Sequence, residues 1–310
     1  MREAIIHALS ELAEIDPRLV LVNGDLGFGV LDDFIARFPA QYVNAGVAEQ
    51  NMTALACGMA LTGARAYTYS IANFPTLRCL EQLRNDVCYH GADVTVIAVG
   101  GGFSYGPLGM SHFATEDLAI LRALPGMTVV APSDPWQAAA LLQQLHARGG
   151  PAYLRIDKSF AGVAPGRVEL GKARLVRDGA DAVIFATGGI LGEALGAADM
   201  LAGEGHAVRV VDIHTIKPLD TAAICDAAQQ CRHVVTLEEH TIIGGLGGAV
   251  AEVLMDGGVH PASFRRFGLD DAYPAVVGDQ AYLRRLCGLD WNSMASWLRG
   301  VITGARSCAA

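Results

Sequence analysis

The sequence predicts an α/β protein built from two doubly wound, mostly parallel β-sheet domains, one in each half of the chain. Short runs of apolar and β-branched residues alternate with longer helical patterns, which is typical of parallel strands covered on both faces. The chain has 36 glycines in 310 residues and only 7% aromatic residues, which favours tight strand-to-helix turns over an antiparallel sandwich. The length also suits two domains of roughly 150 residues each.

The first half contains five candidate strands and five candidate helices in alternation. The strands are expected at 19–22, 65–69, 94–99, 128–131 and 152–156. The helices are expected near 3–14, 47–61, 76–90, 116–123 and 135–147. A further short strand ends at Asn44, just before the second helix.

The second half repeats this alternation after a segment rich in glycine, proline and charge, residues 161–181. Strands are expected at 181–187, 207–213 and 233–239, and helices at 191–203, 221–229 and 247–254. The intervening segment is typical of an interdomain linker that leads into an edge strand. We expect a first domain at 1–164, a linker at 165–178 and a second domain at 179–310.

Composition excludes several classes of protein. With 52% hydrophobic and 18% charged residues, most of the chain is predicted to fold. A net charge of -9 without a basic cluster argues against nucleic acid or an anionic membrane as the main partner. The seven scattered cysteines show no CxxC spacing and are expected to be buried free thiols in a reducing compartment. The acidic, amphipathic N-terminus is unlike a targeting peptide, and no apolar run reaches ~18 residues, so a cytoplasmic protein is expected.

Several familiar motifs are absent. Glycine clusters occur at 24–29, 100–106 and 244–248, but none has the spacing of a dinucleotide or P-loop motif in the right context. The third cluster precedes a helix whose N-terminus could hold an anion, although a plain tight turn is the favoured interpretation. No histidine or cysteine spacing predicts a metal site, and GxSxG is missing.

The most informative segment is 42–58, in which a short strand and a glycine turn lead into an apolar helix. Glu49 lies in the first turn of that helix. One interpretation is that Glu49 complements the helix dipole. The other is that Glu49 is a carboxyl group in apolar surroundings, which suits it to holding or donating a proton.

The run Gly46-Val47-Ala48-Glu49-Gln50-Asn51-Met52 resembles the GxAEQ signature of transketolase-type thiamine diphosphate enzymes. The segments around it resemble, in order, the pyrimidine-binding domain of transketolase and of deoxyxylulose phosphate synthase. Residues 210–220 and 234–247 resemble the C-terminal domain of the same family. The likeness covers about 1–305, and the ordered set is more specific than any single motif.

The resemblance implies cofactor contacts for three residues. Glu49 would hydrogen-bond the pyrimidine N1′ of thiamine diphosphate, which promotes loss of the thiazolium C2 proton. Phe74, in SIANFPTLRCLEQLRNDV, would stack on the pyrimidine; ordinary core packing is the alternative. Asp25, in NGDLG, stands where the family has its acidic first loop.

The resemblance also implies three substrate contacts. His112, after GPLGMS, matches the family's histidine near the substrate oxygens, against the alternative of a surface histidine. Arg155, in AYLRIDKS, would hold a phosphate or carboxylate, and a structural ion pair is the alternative. Arg78 is a weaker candidate for the same anion site.

A missing motif limits what this chain can do alone. Members of this type carry a preceding domain with GDG and a later Asn, which hold magnesium and the diphosphate. Here Gly24-Asp25-Leu26 and Gly278-Asp279-Gln280 both fail at the third position. The chain therefore resembles the C-terminal half of a split transketolase. A separate N-terminal subunit is expected to supply the Mg²⁺ and diphosphate site, in a heterotetramer with two copies of each chain.

Three functional hypotheses follow from the resemblance. The first is the C-terminal subunit of a two-chain transketolase acting on sugars or sugar phosphates. The second is the beta subunit of an acyloin-forming synthase or of a 2-oxo acid dehydrogenase; the loop YGPLGMSHFA departs from the housekeeping transketolase pattern and leaves this open. The third is a non-catalytic regulatory subunit, against which the presence of Glu49, Phe74 and His112 argues.

Overall fold

The computed structural model describes residues 1–304; residues 305–310, including Cys308, lie outside the described part. The strands of the first half are β1 (Leu19–Asn23), β2 (Tyr42–Asn44), β3 (Arg65–Ile71), β4 (Val94–Val99), β5 (Thr128–Val130) and β6 (Ala152–Ile156). The helices of the first half are α1 (Arg2–Ile15), α2 (Asp32–Arg37), α3 (Glu49–Leu61), α4 (Leu80–Gln82), α5 (Asp117–Ala123) and α6 (Pro135–Arg148).

The second half has its own set of strands and helices. Its strands are β7 (Arg174–Arg177), β8 (Ala182–Ala186), β9 (Val208–Asp212), β10 (Thr215–Lys217), β11 (His233–Thr241) and β12 (Ser263–Leu269). Its helices are α7 (Leu191–Ala202), α8 (Thr221–Gln230), α9 (Leu246–Asp256), α10 (Gln280–Leu286) and α11 (Trp291–Ile302). The elements α2, β10, β12, α10 and α11 were not predicted.

The two sheets confirm the predicted fold class. The first sheet has the strand order β10-β5-β6-β4-β3-β1-β2, and β1 to β6 pair in parallel. The second has the order β12-β11-β8-β9-β7, parallel except for the edge strand β7. The central strands are buried on both faces because helices cover both sides of each sheet.

The two halves are joined by more than a linker. Strand β10 leaves the second half and pairs antiparallel with β5 of the first sheet. Strand β7, which falls within the predicted linker, pairs with β9. One continuous apolar cluster contains Val22 and Leu83 from the first half and Phe185 and Leu246 from the second. The two halves therefore share a core.

The predicted helix at 76–90 is broken. Residues 72–79 form successive turns, in which the Thr76 hydroxyl donates to the carbonyl of Ala72 at 2.6 Å. The helix proper is the three-residue α4, which continues as a π-helical turn over Leu83–Cys88. These turns hold Phe74 at the edge of the sheet rather than on a helix.

Two further properties concern cysteines and membranes. Within residues 1–304 all six cysteines are free, of which Cys57, Cys79 and Cys231 are buried and the other three are half-buried. None of the described helices is long and apolar enough to cross a membrane.

Candidate active site

The candidate site lies at the carboxyl edge of the first sheet. The loop after β1 carries Asp25, the turn after β2 leads into Glu49, and the turns after β3 carry Phe74. The loop after β4 carries His112. These four loops meet where the ligands of doubly wound sheets collect, at the carboxyl ends of the strands, and we call this place the crevice.

Glu49 is the first residue of α3 and is 3% exposed. Gly46 has a φ of +73°, and its N–H donates to Asn44 Oδ1 at 2.9 Å, which turns the chain sharply from β2 toward the helix. Val47, which is 75% exposed, points out of the same turn. The glycine turn therefore places the buried carboxyl group of Glu49 at the start of the helix, next to the crevice.

Arg78 lies between Glu49 and Phe74. Its Nη1 donates to Glu49 Oε2 at 2.7 Å, and its guanidinium carbon lies 4.6 Å from the centroid of the Phe74 ring. The Phe74 ring in turn meets the His112 ring edge to face at 5.2 Å between centroids. The structure thus brings four of the predicted site residues together in one contact chain, with Arg78 on the expected cofactor acid rather than in a separate anion site.

The loops that carry Phe74 and His112 are tied together. Asn73 Nδ2 donates to the carbonyl of Ser111 at 2.7 Å, and the Ser111 hydroxyl lies 3.0 Å from His112 Nδ1. These bonds fix the half-buried imidazole beside the phenyl ring.

Two residues near His112 were missed by sequence reasoning. The Tyr105 ring lies 6.4 Å from the His112 ring, and Lys158 Nζ lies 3.6 Å from the Tyr105 centroid. Lys158 is exposed and follows β6 closely. Its place in AYLRIDKS, just past the end of a predicted strand, was the available signal.

Asp25 lies at the outer rim of the crevice. It adopts a φ of +57° and accepts a hydrogen bond from Asn44 Nδ2 at 2.9 Å, so it joins the β1 loop to the turn before Glu49. Its neighbour Gly24 is close to the acid: a Cβ there would lie 3.5 Å from Ser70 Oγ and 3.7 Å from Glu49 Cγ. The first loop therefore borders the Glu49 pocket.

Two buried polar atoms beside this pocket lack a hydrogen-bond partner within residues 1–304. They are Ser70 Oγ, at the end of β3, and Asn73 Oδ1. Buried polar groups normally find partners, so unpaired atoms next to Glu49 and Phe74 are consistent with a polar ligand there.

Arg155 is 6% exposed and lies deeper than the crevice. Its Nη2 donates to the carbonyls of Ala114 and Glu239 at 3.1 and 2.8 Å, and its Nε lies 3.3 Å from Asp117 Oδ2. This arrangement favours the structural ion pair over the substrate contact that the resemblance implied.

The second and third glycine clusters serve packing. A Cβ on Gly101 would collide with Arg155, and one on Gly102 would collide with Glu239. At the third cluster the Glu238 carboxylate accepts from the Leu246 and Gly247 N–H groups, each at 2.7 Å. The start of α9 is therefore already capped by a carboxylate and is not open to an anion.

No set of three or more His, Cys, Asp or Glu side chains within residues 1–304 is arranged to hold a metal ion.

The two family models that match cover most of the chain. Residues 1–162 match the model described as transketolase, pyrimidine binding domain. Residues 171–293 match the model described as transketolase, C-terminal domain.

Individual proteins agree with these matches. A 6-deoxy-6-sulfo-D-fructose transketolase subunit from Clostridium sp. (strain MSTE9) is 36% identical, covering 93% of this chain and 90% of that protein. An apulose-4-phosphate transketolase subunit from Actinobacillus succinogenes is 35% identical, covering 95% of this chain and 94% of that protein. A solved structure described as a split gene transketolase, inactive beta4 tetramer, is 34% identical with a TM-score of 0.87 and 98% coverage of both chains. The chain belongs to the transketolase family.

Proposed function

We propose that this member of the transketolase family is the C-terminal subunit of a two-chain, thiamine diphosphate-dependent transketolase. With a separate N-terminal subunit it transfers a two-carbon ketol unit between ketose and aldose substrates, including sugar phosphates. The two transketolase subunits to which the chain is similar have about the same length as this chain, which supports the division into two chains. We propose a complex with two copies of each chain.

The observation that carries the proposal is the buried carboxyl group of Glu49 close to the half-buried aromatic ring of Phe74. The pyrimidine of thiamine diphosphate is flat and carries a ring nitrogen, so it needs an aromatic or apolar surface and an acid. Phe74 and Glu49 offer both, and the unpaired Ser70 Oγ and Asn73 Oδ1 offer further polar contacts. The residues present fit the pyrimidine half of the cofactor.

The diphosphate half of the cofactor is normally held through a divalent cation with oxygen ligands. Residues 1–304 contain no group of three or more His, Cys, Asp or Glu side chains that could hold a metal ion. We therefore propose that the Mg²⁺ ligands lie on the N-terminal subunit. The active site then forms at the interface of the two chains.

The surface around the crevice suits such an interface. The loops that build the site also carry apolar side chains that are 47–82% exposed: Phe28, Val47, Leu77, Leu108 and Met110. Large exposed apolar side chains gathered on the loops of one site are typical of a surface that a partner covers. Covering it with a partner subunit would also exclude water from the reacting groups.

Thiamine diphosphate, when bound, would supply a nucleophilic carbon for ketol transfer. Glu49, which is 3% exposed, would hydrogen-bond the pyrimidine N1′ and share a proton with it. Phe74 would stack on the pyrimidine ring. His112, whose ring packs against Phe74, donates a hydrogen bond to substrate oxygens and stabilises them as negative charge develops.

The test replaces Glu49 in the complex of both chains. Glu49→Gln keeps the size of the side chain but cannot supply the proton, so ketol transfer should fall by ~10²-fold or more. Hydrogen exchange at C2 of the bound cofactor, followed by NMR, should slow to a similar degree. Glu81→Gln, an exposed glutamate on α4, is the matched control and should leave both rates unchanged. Unchanged C2 exchange in Glu49→Gln would show that Glu49 is not the proton group.

A further inference from the structure

Arg78 contacts both groups that are proposed to bind the pyrimidine ring, the Glu49 carboxyl group and the Phe74 ring. Its Nη1 lies 2.7 Å from Glu49 Oε2, and its guanidinium stacks on Phe74 with 4.6 Å between the guanidinium carbon and the ring centroid. A guanidinium is planar and presents N–H donors at its edge, and it stacks well on aromatic faces. In its planar shape and its stacking on Phe74 it resembles an aminopyrimidine ring.

The two groups compete for the same carboxylate oxygen. A hydrogen bond between a guanidinium and a carboxylate is charge-assisted and roughly twice as strong as a neutral one. A carboxylate oxygen and a neutral ring nitrogen are both acceptors, so the ring nitrogen can bond Glu49 only through a proton, and the N–H of Arg78 already occupies Oε2. The proton-sharing role of Glu49 therefore conflicts with the ion pair.

The two members of the pair differ in their freedom to move. The Glu49 side chain is 3% exposed, whereas the Arg78 side chain is 48% exposed. Within residues 1–304 the hydrogen bonding of the Arg78 side chain is confined to Glu49. Arg78 also lies in the turns before α4 rather than inside a long helix. The guanidinium can leave toward solvent without disturbing the fold, while the carboxyl group cannot.

We propose that Arg78 is a displaceable placeholder: in the cofactor-free chain it covers Glu49 and Phe74, and the cofactor binds by displacing it. The inference rests on the proposed function, because it requires that the pyrimidine binds at Glu49. It changes the role expected for Arg78 from substrate binding to control of cofactor entry. It also gives the free subunit a neutralised acid instead of an unpaired buried charge.

The experiment measures binding of thiamine diphosphate with Mg²⁺ to the complex of both chains. Calorimetry gives the affinity for the cofactor, and stopped-flow mixing of the cofactor with the complex gives the association rate. Arg78→Gln removes the charge and should tighten binding roughly tenfold and speed association, because one charge-assisted bond no longer has to break. Arg78→Lys keeps the charge but lacks the planar group, and should lie between Arg78→Gln and the wild type.

Arg148→Gln is the matched control, since its guanidinium bonds the Gly149 carbonyl at the end of α6 and not the site. It should bind the cofactor like the wild type. Weaker or unchanged binding in Arg78→Gln would overturn the placeholder role. If Arg78→Gln does not fold, Arg78→Lys decides: tighter binding than wild type supports the inference, and equal or weaker binding overturns it. Failure of the wild-type complex to bind the cofactor would instead refute the proposed function.

Discussion

Two carboxylate–guanidinium arrangements in this molecule differ in what surrounds them. At the crevice, Arg78 is half exposed and makes one hydrogen bond to Glu49. Between the two halves of the chain, in the region that we call the domain joint, Arg155 and Arg284 are buried. The domain joint comprises Asp117, Tyr153, Arg155, Asp157, Glu239, Gln280 and Arg284.

Glu239 shows how the charged groups of the domain joint share several partners. Its carboxylate accepts from the Phe103 N–H at 2.5 Å, from Gln280 Nε2 at 2.8 Å and from Arg284 Nε. Burial raises the pKa of Glu239 despite the Arg284 charge beside it. Pairing chemistry alone thus does not separate a structural ion pair from a functional one. The two kinds of ion pair differ instead in the number of hydrogen-bond partners and in the exposure of the guanidinium.

If burial distinguishes the two arrangements, Arg155→Met should have the largest effect on stability. Removing the guanidinium leaves Asp117 buried without its counter-charge and two carbonyls without a donor. The free energy of unfolding should fall by about 3–5 kcal/mol, measured by urea denaturation. The double variant Arg155→Met/Asp117→Asn should recover part of this loss because the orphaned charge is gone. A stable Arg155→Met protein whose only defect is a raised KM for anionic substrates would return Arg155 to the substrate site.

A second prediction concerns the pH dependence of stability at another contact between the two halves of the chain, outside the domain joint. Asp212, at the end of β9, accepts from Ser133 and Gln137 of the first half at 3.2 and 2.7 Å. Burial raises the pKa of Asp212 to about 6 from an ordinary 3.8. The folded state therefore binds the proton more tightly than the unfolded state, and stability is lost as pH rises from about 4 through about 6.

Asp212→Asn removes this titration while keeping the side-chain shape. Between pH 4 and pH 7 the variant should gain about 2–3 kcal/mol in unfolding free energy relative to the wild type. Burial lowers the pKa of the neighbouring His214 to about 4, but this titration occurs in both proteins and cancels. Parallel pH profiles of the two proteins, from urea denaturation, would contradict the assignment.

The smallest effect is expected for an ion pair that also links the two halves but lies at the surface. Arg122, at the end of α5, pairs with Glu252 of α9, whose side chain is 59% exposed. Exposed pairs contribute little, so Glu252→Gln should lower the unfolding free energy by less than about 1 kcal/mol. A loss as large as that of Arg155→Met would mean that burial is not what distinguishes the domain joint.

The sequence predicted the fold class and the convergence of Glu49, Phe74 and His112, because each follows a strand of one parallel sheet. It could not assign Arg155, since a position within β6 does not reveal whether the side chain meets a crevice or a buried carboxylate. Strand β10 could not be predicted, because a three-residue strand is too short to show a periodic pattern. Its partner β5 is also distant in sequence, since Thr215 pairs with Val130, 85 residues earlier. The contact of Arg78 with Glu49 could not be predicted either. It depends on the turns at 72–79, whereas the sequence predicted a helix from residue 76 onward.

The central claim is that this chain holds the pyrimidine half of an active site and that a partner subunit holds the other half. Calorimetry of thiamine diphosphate with Mg²⁺ tests it most directly, first on this chain alone and then on its mixture with the N-terminal subunit. The account predicts no magnesium-dependent binding to the chain alone and saturable binding to the mixture. Micromolar, magnesium-dependent binding to the chain alone would contradict it.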